Sequence, residues 1–139
     1  MIAWTIYLTF AGAVVLLLLP SVFARWIALV TTLAGLVLGI VAFFRTPIAD
    51  LAHFTTIVSV PWVPALGMNY HLAIDGVSLT MVLVTGISGI STVLFSWDVD
   101  HRQREFFFWL LLVVAGCYGV LLSADLFLFF AFYELVIVP

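Results

Sequence analysis

Nineteen consecutive residues from Trp26 to Phe44 lie between Arg25 and Arg45, and none of them is charged. A helix needs roughly 20 apolar residues to cross a hydrocarbon layer of about 30 Å. The pattern recurs along the chain. Ile2 to Leu19 is uncharged and closes at Pro20, Val77 to Trp97 follows an Asp75-Gly76 turn, and Phe106 to Leu122 follows a polar knot. Leu126 then opens an aromatic-rich run whose one charge is Glu134, and Pro139 is the last residue. In lipid, only a helix satisfies all the backbone hydrogen bonds of a single segment by itself. The pattern predicts an all-α membrane fold over residues 1–139 as one membrane domain. This is a transmembrane helix bundle with four complete spans (2–19, 26–44, 77–97, 106–122) and a truncated fifth (126–139).

Composition agrees with that class. Hydrophobic residues make up 66% of the chain and charged residues 8%, with a mean hydropathy of +1.36, where soluble domains carry about 25% charged residues. The cations are Arg25, Arg45, Arg102 and Arg104, too scattered for a nucleic-acid stripe. Cys117 lies in an apolar run with no second cysteine to pair with, and it reads as a small packing residue. No Cys/His cluster has metal-ligand spacing and no glycine-rich phosphate loop is present. Val22-Phe23-Ala24 loosely resembles a signal cleavage site. No positive charge precedes the first apolar run, so that span is read as retained.

Arg25 lies between spans one and two, and Arg102 and Arg104 lie between spans three and four, so these two loops face one side. The excess of arginine there predicts that side to be cytoplasmic and the N-terminus to be outside. The segment from Arg45 to Gly76 is then an external loop. Within it Thr55 to Val60 is rich in β-branched residues, Pro61 and Pro64 punctuate it, and Trp62 and Tyr70 suit headgroup depth. A short strand or hairpin lying on the membrane surface is expected there.

Small residues mark where helices meet in a bilayer. Ala28, Thr31, Thr32, Gly35, Gly39 and Ala42 share one face of span two, and Gly116, Gly119 and Ser123 share one face of span four. Ser78, Thr85, Gly89, Thr92 and Ser96 form a stripe on span three, read chiefly as helix packing, with a hydrated path as the alternative.

Among ionisable residues Glu134 stands out. Nine residues past Asp125 at 1.5 Å each, it would lie about 13 Å deep. A charge there costs at least about 2.5–3.5 kcal/mol, so the carboxyl must protonate or meet a cation or water inside the bundle. Glu134 is the candidate proton-accepting site; a position nearer the interface, merely solvated, is the bland alternative. Asp125 and Asp75 read as N-caps of spans five and three. Asp98, Asp100, His101, Arg102, Gln103, Arg104 and Glu105 read as a solvated loop, and His53 and His71 lack a second ligand. No nucleophile–base pair is evident.

Trp62-Val63-Pro64-Ala65-Leu66-Gly67, then Tyr70-His71-Leu72-Ala73-Ile74-Asp75-Gly76-Val77-Ser78-Leu79, resembles the stretch before the third helix of the antiporter-like subunits of respiratory complex I. Ser96-Trp97 with its arginine-bearing loop is similar too. So is Ala124-Asp125-Leu126-Phe127-Leu128-Phe129-Phe130-Ala131-Phe132-Tyr133-Glu134, with Pro139 five residues on. Within these subunits the likeness is nearest to the M, or chain 4, type of NADH–quinone oxidoreductase, and it covers nearly the whole chain. It implies a membrane-arm subunit of a proton-translocating oxidoreductase, with no redox chemistry of its own. Glu134 would centre a proton half-channel coupled to a lysine of a later helix, and the external loop would carry a hairpin.

The same resemblance implies no cofactor in this chain. NADH, flavin, iron–sulfur clusters and quinone would belong to other subunits, other membrane-arm subunits would be its partners, and a bacterial inner membrane would be its location. Tyr133 stands where these subunits commonly have Trp. The chain stops within the fifth span and lacks the relay lysines, which suggests an N-terminal fragment or a truncated product that could not complete a proton path alone. Sister families share the fold: the D subunit of multisubunit Na⁺/H⁺ antiporters and the membrane subunits of energy-converting hydrogenases. A non-catalytic membrane scaffold is the rival from another class.

Overall fold

A computed structural model describes residues 2–47, 53 and 55–139. Residues 48–52 and 54 of the expected external loop lie outside the described residues. Five helices follow the apolar runs: α1 (Trp4–Leu18), α2 (Ala24–Arg45), α3 (Gly76–Phe95), α4 (Gln103–Leu122) and α5 (Leu126–Ile137). A short 3₁₀ turn, Ser21–Phe23, leads into α2.

Among the described residues three helical stretches are long and apolar enough to cross a membrane: Ser21–Arg45, Gly76–Phe95 and Gln103–Leu122. The first span is shorter than the sequence predicts. α1 has 15 residues, about 22 Å at 1.5 Å per residue. Leu19, held extended ahead of Pro20, ends it (φ −97°, ψ 158°). α5 is shorter still, with 12 residues.

Helix α4 is the hub. It packs on α1, α2, α3 and α5, while α2 also lies against α1 and α3. Its largest buried side chain, Tyr118, sits against Gly35 of α2. The small face expected on α2 is the buried one: Ala28, Thr31, Thr32, Gly35, Gly39 and Ala42 are all inside. Gly116 and Gly119 of α4 are buried too, facing Val136 and Phe132 of α5. Where lipid already solvates apolar surface, such close backbone approach supplies the packing that holds helices together.

The serine and threonine stripe of α3 behaves otherwise. The buried face of that helix is Leu79, Val82, Gly86, Gly89 and Val93, which leaves Thr92 exposed. Thr85 and Thr92 donate to the carbonyls of Met81 and Ser88, 2.9 and 2.7 Å away, four residues back. A hydroxyl satisfied by its own helix needs no partner across an interface. Of the stripe only Gly89 is buried among these five helices.

Between α2 and α3 lies the expected hairpin, with β1 (Thr55–Val63) antiparallel to β2 (Met68–Ile74). The ribbon is irregular at Thr56/Val58 and at Pro61/Val63, the second beside the strand's proline. Gly67 closes the turn with φ +68°, a left-handed conformation that favours glycine. β2 runs into α3 through Asp75 alone.

A methyl group added at Gly119 would overlap the Phe132 ring, whereas one at Gly89 would meet Thr32 and Val114 at 3.5 Å, an ordinary contact. Gly119→Ala is expected to lower stability by roughly 1–3 kcal/mol, the range for overpacking. Gly89→Ala is expected to be neutral or to gain up to about 1 kcal/mol of helix propensity. Thermal unfolding in detergent micelles reads both. Equal effects would contradict the packing described.

Candidate functional site

The fifth helix begins where three segments meet. Asp125 caps it as the sequence predicts, its carboxylate accepting from the Phe127 N–H at 2.9 Å. The other carboxylate oxygen accepts from the Asn69 N–H of β2 at 3.0 Å. Next to it the Ala124 N–H donates to the His71 carbonyl at 2.9 Å, and Leu72 bridges to Ser123. The α4–α5 connection is thus stitched onto the edge of the hairpin. At its other face the hairpin reaches α1, where the Tyr7 and Tyr70 hydroxyls lie 2.9 Å apart. His71 Nε2 sits 3.1 Å from the Thr56 hydroxyl across the ribbon.

Asp75 caps α3 by accepting from the Ser78 N–H at 2.8 Å. Hydrogen bonding from Ser78 holds the Asp75 carboxyl below its usual range. The N–H groups of Asn69 and then Phe127 do the same for Asp125. Burial and its hydroxyl contact with Tyr7 push the Tyr70 phenol upward. A carboxyl lowered on folding stabilises the fold above its unfolded pKa, and that contribution is lost as pH falls through the folded value.

Glu134 lies nine positions beyond Asp125 on α5 and is exposed. The side of α5 that packs carries Leu128, Phe132 and Val136. Phe127, Phe130, Glu134 and Ile137, at helical spacing, lie on the exposed side. Among the described residues Glu134 has no side-chain hydrogen bond or ion pair. Within this chain the five helices therefore leave Glu134 on a face that they do not cover. The reason is steric: the glycines of α4 draw in the Phe132 and Val136 side of α5, and Glu134 is carried round to the other.

The polar loop is exposed at Asp98, Asp100, His101, Arg102, Arg104 and Glu105, but Gln103 is buried. His53 is exposed and His71 half-buried, and Cys117 is half-buried. Sequence reasoning missed the second bond of Asp125, since its partner lies 56 residues away. It also missed the burial of Gln103, for which the only available signal was its place at the start of a helix.

No family model matches the chain. It is 39% identical over 121 residues to NADH-quinone oxidoreductase subunit M of Escherichia coli (strain K12), a match covering 83% of this chain and 24% of that protein. The protein of the same name from Pseudomonas aeruginosa is 41% identical over 123 residues, with the same coverages. NAD(P)H-quinone oxidoreductase chain 4 2 of Thermosynechococcus vestitus is 36% identical over 115 residues, 83% of this chain and 22% of that one. The chain thus spans about a quarter of the length of the curated relatives it matches.

In three dimensions the chain superposes on part of the membrane-bound sulfane sulfur reductase, an archaeal respiratory membrane complex. The TM-score is 0.76 at 20% identity, covering 97% of this chain and 28% of that one. At that identity the likeness speaks for the fold alone. The resemblance drawn from the loop and glutamate motifs is borne out, and the chain is an integral membrane protein.

Protection of the Asn69 and Phe127 amides from hydrogen exchange is expected to hold at neutral pH and to fall below about pH 4, as Asp125 protonates. In Asp125→Asn, protection should be lower throughout and the acid step absent. A step that persists in the variant would remove Asp125 from this role.

Proposed function

From the sequence kinship of this chain with subunit M and chain 4 of NADH-quinone oxidoreductases, we propose that it serves as part of the membrane arm of a proton-translocating NADH:quinone oxidoreductase. The observation that carries the reading is identity of 36–41% over 83% of the chain to three relatives so named. The antiporter and hydrogenase sister families are not better supported, because the structural neighbour carries fold alone.

In this reading Glu134 is the proton-exchanging group of a half-channel. Its exposed face on α5, a carboxyl among Phe127, Phe130 and Ile137, packs against other membrane-arm protein in the assembled complex. A carboxyl on an otherwise apolar helix face is costly against acyl chains, whereas a cation or enclosed water beside it stabilises the ionised form. The proton is then taken up or released as a neighbouring charge moves. The five helices supply the scaffold that sets the depth and direction of Glu134, and cations or water on the facing protein complete the path. NADH, flavin, iron–sulfur clusters and quinone are assigned to other subunits. Arg25, Arg102 and Arg104 mark the cytoplasmic end in a bacterial inner membrane, with the N-terminus and hairpin outside.

In inverted membrane vesicles carrying the assembled complex, Glu134→Gln is expected to cut NADH-driven proton uptake by about tenfold or more, on the scale general acid–base groups contribute. Glu134→Asp should retain part of it. Dye quenching reads the gradient, and a native gel reads assembly. Full pumping by an assembled Gln variant would leave only the scaffold reading.

A further inference from the structure

At the end of the bundle opposite the hairpin, a cavity of about 470 Å³ is lined by Ser21, Val22, Arg25, Trp26, Trp97 and Gln103. Gln103 is 8% exposed, and its Nε2 is buried without a hydrogen-bond partner. An unpaired buried donor costs free energy, which an incoming acceptor recovers. The Arg25 side chain is 27% exposed. Its guanidinium lies 5.5 Å above the Trp97 ring, which meets Trp26 edge-on at 5.2 Å.

Helix α4 starts here at Gln103 without a side-chain cap, and the 3₁₀ turn Ser21–Phe23 leads into α2 beside it. The positive end of the α4 dipole and one arginine thus converge beside a donor with nothing to bind. Two carboxylates, Asp100 and Glu105, line an adjoining pocket that shares Ser21 and Gln103 with this cavity. Asp100 is 91% exposed and holds Arg25 only at 3.8 Å, and Glu105 pairs with Arg102 at 3.6 Å. Neither hydrogen-bonds to the Gln103 amide nitrogen.

We propose that this cavity binds the phosphate of a membrane phospholipid, with Arg25 and Gln103 as its donors. The chemistry is that of any phosphate. Three features assign it to a lipid. Val22 and Trp26, 72% and 56% exposed, continue the cavity onto the outer face of a 25-residue apolar span. Paired tryptophans sit at headgroup depth. Basic pockets between helix ends suit anionic headgroups. The bound phosphate ties α2 to α4 at the end where no β-ribbon does so. The site does not depend on the role given to Glu134.

The test uses the full chain in its assembled complex, extracted in mild detergent from membranes containing phosphatidylglycerol. Native mass spectrometry then reads retained lipid. Arg25→Gln and Gln103→Glu are each expected to lower retention by about tenfold, the worth of one charge-assisted hydrogen bond. Gln103→Leu keeps the side-chain volume without the donor and should behave alike, with thermal unfolding reporting that each variant is folded. A second arm adds inorganic phosphate to delipidated protein. Phosphate binding with no retained lipid would overturn the lipid assignment. Retention unchanged in folded variants would overturn the site.

Discussion

Helix α5 reaches α4 because Gly116 and Gly119 leave room for Val136 and Phe132. Apolar surface gives helices little reason to associate in lipid, so the depth of that contact decides which side of α5 turns inward. Once the Phe132 side is inside, Glu134 is committed to the outer side. The same logic runs through α2, whose Gly35 admits the Tyr118 ring. The architecture is therefore set less by large side chains than by where they are missing.

The hairpin adds a second kind of constraint. Helix contacts allow sliding, but hydrogen bonds between peptide groups specify register. By accepting from both Asn69 and Phe127, Asp125 fixes the first turn of α5 to the ribbon. The depth of Glu134 then follows from nine residues of regular helix. A single carboxylate serves as helix cap and as inter-element tie, and the N–H groups of these two tasks also keep it ionised.

Much of this was legible in the sequence because the signals are local. Charge-free runs give the helices to within a few residues, the Asp75 and Asp125 caps act within three positions, and the small face of α2 repeats at helical spacing. The β-branched run of Thr55 to Val60 announced the ribbon. The inward side of α5 was not legible, because phenylalanine and leucine occur all round that helix and give no periodic contrast. The α3 stripe misled for a different reason: its hydroxyls satisfy their own carbonyls, so spacing alone does not report contact. Long-range ties such as Asp125 to Asn69, and the burial of Gln103, arise only when distant segments are brought together.

The ribbon braces only one end of the molecule. It touches α1 through Tyr70, runs directly into α3, and holds the start of α5. Rods clamped at one rim tilt about that rim, so the amplitude of any relative swing grows with distance from it. The arginine-bearing end lies some 30 Å away for a 20-residue helix, and side chains rather than a ribbon join the helices there, Trp26 edge-on to Trp97 and Arg25 over the Trp97 ring. The two ends are thus joined by different means, peptide hydrogen bonds at one and aromatic and ionic side-chain contacts at the other.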